Sequence, residues 1–258
     1  AAHPVVDLKL FARRNFLVGT LALSVAYGLV FGNVVLLPLW LQQYMGYTAT
    51  WAGLAMAPVG LLAILLSPWV GHNVGRIDPR WLATTAFLGF AAVMWMRTLF
   101  STQADFETIL LPTLLQGIAM AFFFIPLQAI AYAGLAPARM PSATGLNNFV
   151  RITAGAVGTS VFTTLWDSRA SLHHAQLAEH VNPANPAAMQ ALAQLRAAGY
   201  TQEQALAQIN RLIDQQAFML AANDLFWLSS MLFVALVLLV WFSGRRQGPM
   251  LAVEGGAH

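Results

Sequence analysis

Six apolar stretches recur along the chain, from Phe16 to Leu41, Trp51 to Val70, Trp81 to Phe100, Ile109 to Ala133, Thr144 to Leu165 and Phe218 to Phe242. Each has about the 20 residues that a helix needs to cross a hydrocarbon core. In lipid every backbone N–H and C=O must be satisfied within the protein, so only helices and closed barrels span a bilayer. The runs here are continuous rather than alternating, which selects helices over barrel strands. Composition agrees, since 58% of residues are hydrophobic and 9% charged, against roughly 25% charged in soluble domains. The fold class expected is therefore all-α and integral to the membrane, a six-helix transmembrane bundle with a short helical external insertion before the last span.

The connections orient the bundle, because Lys and Arg collect in cytoplasmic loops close to span ends. Lys9, Arg13 and Arg14 precede the first span, Arg76 and Arg80 lie between the second and third, Arg139 between the fourth and fifth, and Arg245 and Arg246 after the sixth. All fall on one side if the helices alternate, whereas the loops Gln43 to Thr50 and Ser101 to Thr108 carry no Lys or Arg. The predicted layout is a cytoplasmic lead-in at 1–15, five spans within 16–166, a periplasmic helical segment at 167–217, the sixth span at 218–242 and a cytoplasmic tail at 243–258. The opening residues lack an initiator Met and any apolar core of a signal peptide, and read as a piece of a longer chain.

Within residues 167–217, Asn185 before Pro186 predicts a helix N-cap with proline at the first helical position, and Gly199 suits the stop. Thr201 and Gln204 have capping-box spacing, which opens a second helix expected to run into the sixth span. A mobile solvated loop is the alternative.

Enzyme chemistry finds little footing. The chain has no cysteine, and His3, His72, His173, His174, His180 and His258 all lie outside the predicted spans. H-E-x-x-H, G-x-S-x-G and G-x-x-x-x-G-K-[ST] are absent, and basic residues form no stripe for nucleic acid. The His173, His174, His180 and Glu179 group has the wrong spacing for an inverted zinc motif and reads as a solvated helix face.

Polar residues inside spans carry more information, because an ionisable group in lipid is costly and tends to face a partner or a water-filled pathway. Arg151 lies deepest from the cytoplasmic side and shares a helix face with Asn147 at i, i+4. The functional reading is a fixed positive charge lining a cavity; the alternative is an arginine that snorkels to the headgroups. Gln116 and Gln42, with Asn33, Gln43 and Gln128, can bond a substrate or knit helices together. Asp224, near the external start of the sixth span, is a candidate for proton coupling or an interfacial residue. Arg97 reads as close enough to the outer surface to snorkel. Ala154, Gly155, Gly158 and Thr159 have small-xxx-small spacing for close helix approach.

Internal symmetry is visible in Pro38-Leu39-Trp40-Leu41-Gln42 against Pro126-Leu127-Gln128, and in Ala52-Gly53-Leu54 against Thr144-Gly145-Leu146. First and fourth spans run oppositely, so the pattern fits a three-plus-three inverted repeat.

Whole blocks resemble a known family. Val6-Asp7-Leu8-Lys9-Leu10-Phe11-Ala12-Arg13-Arg14-Asn15-Phe16, Leu37 to Gln43 with Gly46-Tyr47, Pro58, and Gly71 to Arg80 ending Ile77-Asp78-Pro79-Arg80 come first. Gln116-Gly117, Pro126-Leu127, Asn148-Phe149-Val150-Arg151, Gln216-Ala217 and Asn223-Asp224-Leu225-Phe226 follow in order. Together they resemble the C-terminal half of fourteen-span drug/proton antiporters of the EmrB/QacA type, in the major facilitator superfamily. The resemblance implies an inner-membrane exporter of hydrophobic or amphipathic small molecules, with no cofactor and driven by a proton gradient. It also implies a missing N-terminal transmembrane half and, in Gram-negative relatives, docking to a periplasmic adaptor and an outer-membrane channel. Gly71, Asp78 and Arg80 become candidates for a gating loop, although Gly75 stands where the fuller motif has an acid. A metabolite transporter of the same fold and a non-transporting six-span scaffold are the alternatives.

Overall fold

The computed structural model describes residues 7–244. Residues 1–6 of the lead-in, with His3 and Val6, lie outside the described residues, as do Arg245, Arg246, His258 and the rest of the tail from 245. Among the described residues every regular element is helical. The α-helices are α1 (Arg14–Gln43), α2 (Ala49–Asn73), α3 (Pro79–Arg97), α4 (Phe106–Ala121), α5 (Phe124–Ala131), α6 (Met140–Ala178), α7 (Pro186–Ala197) and α8 (Gln202–Trp241).

Local chemistry sets most of the helix ends. Thr48 accepts from Trp51 N, Asp78 from Arg80 N with Pro79 following, Asp105 from Thr108 N, and Asn185 from Ala187 N. Thr201 and Gln204 form the reciprocal capping box expected of them. Gly199 follows α7 with φ +94°, a left-handed conformation that glycine adopts without penalty. Thr108 hydrogen bonds hold the Asp105 carboxyl below its usual range. The charged form therefore faces the N–H groups that open α4, one of which, Thr108 N, it accepts from.

The fourth apolar stretch is not one helix. Pro126 has no N–H to give to the carbonyl of Phe122, and the chain breaks at Phe122 and Phe123 before resuming as α5. Taken together, Phe106–Ala131 is one of four stretches long and apolar enough to cross a membrane, with Arg14–Gln43, Ala49–Asn73 and Gln202–Trp241. The helices α3 and α6 do not meet that measure. Arg80, Thr84, Thr85 and Arg97 dilute α3, as Asn147, Asn148, Arg151 and several threonines and glycines dilute α6, yet both are packed among the other four.

The helices form two rows. In front, α2 lies against α4, α5 against α1, and α1 against α6; behind, α3 and α8 pack on each other and on the front row. Exchanging α1 with α4 and α2 with α6 turns the α1–α6 contact into the α4–α2 contact, a symmetry that fits the inverted repeat expected from Pro38 and Pro126. Both crossings pass through glycine. A Cβ on Gly158 of α6 would sit 2.6 Å from Gly28 Cα of α1, and one on Gly117 of α4 would sit 2.8 Å from the Val59 carbonyl oxygen of α2. Lipid offers no hydrophobic drive between helices, so such close backbone approach, with interhelical hydrogen bonds, holds the bundle. Asn33 Nδ2 gives one such bond to Ser229 Oγ at 3.0 Å, and Ser230 Oγ another to the Ala91 carbonyl at 2.9 Å.

The two ends of the bundle are tied differently. At one end Arg13 donates to the Gly134 carbonyl, Arg14 to the Phe242 carbonyl, and Gly244 N to Asn15 Oδ1. At the other, Gln215 donates to the Tyr44 carbonyl, Gln216 to Thr102, Asn223 to the Phe100 carbonyl and Trp166 to the Phe218 carbonyl. Burial, followed by the carboxylates of Asp214 and Asp167, pushes the Tyr44 phenol up to about 12, so it stays protonated and uncharged here. Beyond this end α6 and α8 continue as a stalk, with α7 at its tip against α8.

Candidate functional site

The junction of α1, α5 and α6 gathers the most concentrated side-chain chemistry on the front row. Its base is aromatic: Tyr27 stacks on Phe31 with ring centroids 4.2 Å apart, and Phe124 meets Tyr27 edge-on at 6.0 Å. The Tyr27 ring reaches α6 because Gly155 leaves space; a Cβ there would sit 2.8 Å from the ring. One turn earlier on α6, the Arg151 guanidinium lies 4.7 Å from the Tyr27 centroid and 5.5 Å from that of Phe124. Such contacts contribute about 0.5 to 2 kcal/mol, more as water is excluded. Arg151 Nη2 donates to Asn148 Oδ1 at 3.1 Å, and its buried Nε has no partner among the described residues. A fixed cation thus lies on an aromatic platform, suited to flat or amphipathic molecules and to anionic groups.

Asn147 shares the helix face of Arg151 but diverges from it. It is buried, its Nδ2 donates to Tyr132 Oη at 3.0 Å, and its Oδ1 is unpaired among the described residues. Gln116 is elsewhere, its Oε1 accepting from Arg97 Nη2 at 2.6 Å. Gln42 is exposed and bonds back to the Pro38 carbonyl, one turn earlier in its own helix. The structure therefore brings Arg151 and Asn147 into one region and leaves Gln116 and Gln42 apart from them.

Arg97 corrects a sequence expectation. Instead of reaching the outer surface it is wholly buried, turned inward to Gln116 and 5.8 Å from the Phe226 centroid. Its Nε and Nη1, with Trp40 Nε1 and Asn223 Oδ1, are buried without partners among the described residues. Sequence position alone set Arg97 near a membrane end; the direction of its side chain depends on α4 supplying an acceptor, which no local pattern reveals.

Asp224 sits at the far end, where α6 meets α8. Its Oδ2 is 2.9 Å from His173 Nε2 and 3.6 Å from Arg169 Nε. His174 Nδ1 pairs Asp214 Oδ1 at 2.8 Å one stalk layer further out. Two of the three histidines of the expected solvated face, His173 and His174, thus meet carboxylates of α8, and no group of three metal-ligating residues forms among the described residues.

Of the gating-loop candidates, Gly71 is exposed at the end of α2, Asp78 caps α3, and Arg80 is buried with Nη2 unpaired among the described residues. Asp78 and Arg80 line a cavity of about 20 Å³ with Asn15, Ala133, Ser243 and Gly244, room for about one water.

Apolar helices of bilayer length, crossed through glycine, with a cation and broken helix at one junction, define a multi-pass membrane protein of the transporter-like helical class. Residues 1–159 match the family model of the Major Facilitator Superfamily, and the chain belongs to that superfamily. Over 257 residues it is 47% identical to the multidrug export protein EmrB of Escherichia coli K12, covering 99% of this chain and 50% of that protein. EmrB of Haemophilus influenzae is 45% identical over 242 residues, 93% of this chain and 48% of that one. The fatty acid resistance protein FarB of Neisseria gonorrhoeae is 40% identical over 256 residues, 99% of this chain and 50% of that protein. The chain spans about half the length of these relatives.

Proposed function

We propose that this chain is the C-terminal bundle of a proton-coupled multidrug exporter of the bacterial inner membrane, acting on hydrophobic or amphipathic compounds. In this reading α1, α2, α3, α4 with α5, the first part of α6 and the last part of α8 are six spans. Both termini are cytoplasmic, and residues 167–217 are periplasmic. The observation that carries the reading is the Arg151 guanidinium over Tyr27 and Phe124, with Phe31 beside them part-exposed. An aromatic platform accepts many flat ligands, and the cation favours those with an acidic or electron-rich group. The names of the relatives, which concern multidrug export and fatty acid resistance, support the same substrate class.

The bundle works with an N-terminal transmembrane half by rocking about a cavity between the two. Arg151 and Asn147 line the pathway, Gln116 and Gln42 are further candidates for it, Asp224 is the candidate proton group, and Gly71, Asp78 and Arg80 belong to the cytoplasmic gating loop. A periplasmic adaptor with its outer-membrane channel is the expected partner of the stalk.

Dye efflux driven by an imposed pH gradient, measured on the full-length protein in vesicles, tests this. Arg151→Ala is expected to lower efflux about tenfold, the equivalent of about 1.4 kcal/mol. Arg151→Lys keeps the charge but not the flat stacking, and should fall between. Asp224→Asn should weaken the response to the gradient. Unchanged efflux in Arg151→Ala and Asp224→Asn would favour a structural role for both residues.

A further inference from the structure

Between α6 and α8 a surface cavity of about 180 Å³ is lined by Leu165, Arg169, Asp224, Leu225, Trp227 and Leu228. It has an apolar side and a charged side. On the charged side Arg169 Nε is 3.6 Å from Asp224 Oδ2, and His173 Nε2 holds that same oxygen at 2.9 Å. Asp224 Oδ1 and the terminal nitrogens of Arg169 take no part in these two contacts. On the apolar side Trp227 is half exposed, and Leu165 and Leu228 continue the surface. Tryptophan beside a polar pair suits the boundary between headgroups and acyl chains.

We propose that this cavity binds the headgroup of a zwitterionic phospholipid bearing a primary ammonium, as in phosphatidylethanolamine. The lipid phosphate accepts from the Arg169 guanidinium. Its ammonium donates to Asp224 Oδ1, and the upper acyl chain lies along Leu165, Trp227 and Leu228. An Arg–Asp pair this exposed and this long is held weakly, so it opens to admit the headgroup, while His173 keeps the carboxylate in place. A choline headgroup has no N–H to donate and a glycerol headgroup has no cation, so the site discriminates among membrane lipids. The proposal rests on the reading of α6 and α8 as the last two spans, with their outer ends at this level.

The test uses the full-length protein in nanodiscs containing equal amounts of phosphatidylethanolamine, phosphatidylglycerol and phosphatidylcholine with matched chains. Lipids retained on release are weighed by native mass spectrometry. Phosphatidylethanolamine should exceed phosphatidylcholine by roughly two- to fivefold, the range expected of one partly exposed charged contact. Asp224→Asn should remove that preference, and Arg169→Gln should lower retention of all three lipids. Equal retention of the two lipids by the native protein, or a preference untouched by Asp224→Asn, overturns the proposal. A separate measurement isolates the span reading. Leu165→Cys and Leu228→Cys, in a cysteine-free background, should react more slowly with a membrane-impermeant maleimide than Ser171→Cys. Equal rates at all three would sink the placement of the spans, and the headgroup proposal with it. Protection without lipid selectivity would remove the headgroup proposal alone.

Discussion

A guanidinium buried without a carboxylate depends on whatever acceptor reaches it, and for Arg97 that acceptor is Gln116 Oε1 at 2.6 Å. Removing the acceptor leaves a buried cation with no hydrogen bond, whereas removing both partners leaves only a packing change. Gln116→Leu should therefore destabilise the bundle by about 2 to 3 kcal/mol. The double variant Arg97→Leu with Gln116→Leu should be more stable than Gln116→Leu alone. Denaturant titration of the full-length protein in micelles gives both values. A double variant at least as unstable as Gln116→Leu would mean that Arg97 finds its stabilisation elsewhere. The same contrast explains what could be read of the candidate site. Arg151 stood out because a charge deep in an apolar run is visible in one dimension. Its platform did not, since Tyr27, Phe124 and Gly155 come from three helices and meet only when those helices pack. For Gln116 the sequence offers both a substrate contact and a helix-to-helix bond, and the partner for the second, Arg97, lies 19 positions away and on another helix.

Among the helices, the α1–α6 crossing depends most on a single small residue. Any Cβ at Gly158 would lie 2.5 Å from the Gly28 carbonyl oxygen, an atom that cannot rotate away. Gly158→Leu should force α6 off α1 and cost about 1 to 3 kcal/mol or more by overpacking, seen as a lower melting temperature and lost efflux in the full-length protein. Gly53 has nothing within 4 Å of its would-be Cβ, so Gly53→Leu serves as the control and should melt near the native value. Equal melting of the two variants would place the helix contact elsewhere. The small-residue spacing in α6 foretold a close crossing, and the caps at Asn185 and Thr201 foretold where α7 and α8 begin. Two features escaped the sequence. The break before α5 comes from Pro126 acting one turn upstream, inside a run whose hydropathy never falters. The continuation of α6 to Ala178 is polar, so hydropathy ended the fifth stretch at Leu165 while helical hydrogen bonding carried on. That continuation gains its stability from α8, through His173, His174 and their carboxylates, and tertiary partners of this kind leave no trace in local periodicity.

At the scale of the whole bundle, the exposed apolar surface is unevenly shared. Trp51, Leu54, Leu61, Ile64, Leu65 and Trp69 are exposed on α2, and Phe149, Ile152, Val157 and Val161 on α6, the helices at either end of the front row. Between them lies the platform of Tyr27, Phe31 and Phe124 beneath Arg151. Lipid tolerates apolar surface of this sort, but a cation that no carboxylate pairs is costly there. In the proposed reading the front row is completed by a second bundle that supplies water, substrate or a counter-charge to Arg151, and one bundle by itself has no closed pathway across the membrane. Expressed alone, residues 1–258 should insert in the membrane and confer no drug resistance. Co-expressed as a separate chain with the preceding half, they should restore a measurable part of it, because two membrane-inserted bundles associate without needing a covalent link. Resistance from the segment alone would mean that the pathway lies within these helices, and the cation on the platform would then need a counter-charge that this chain supplies itself.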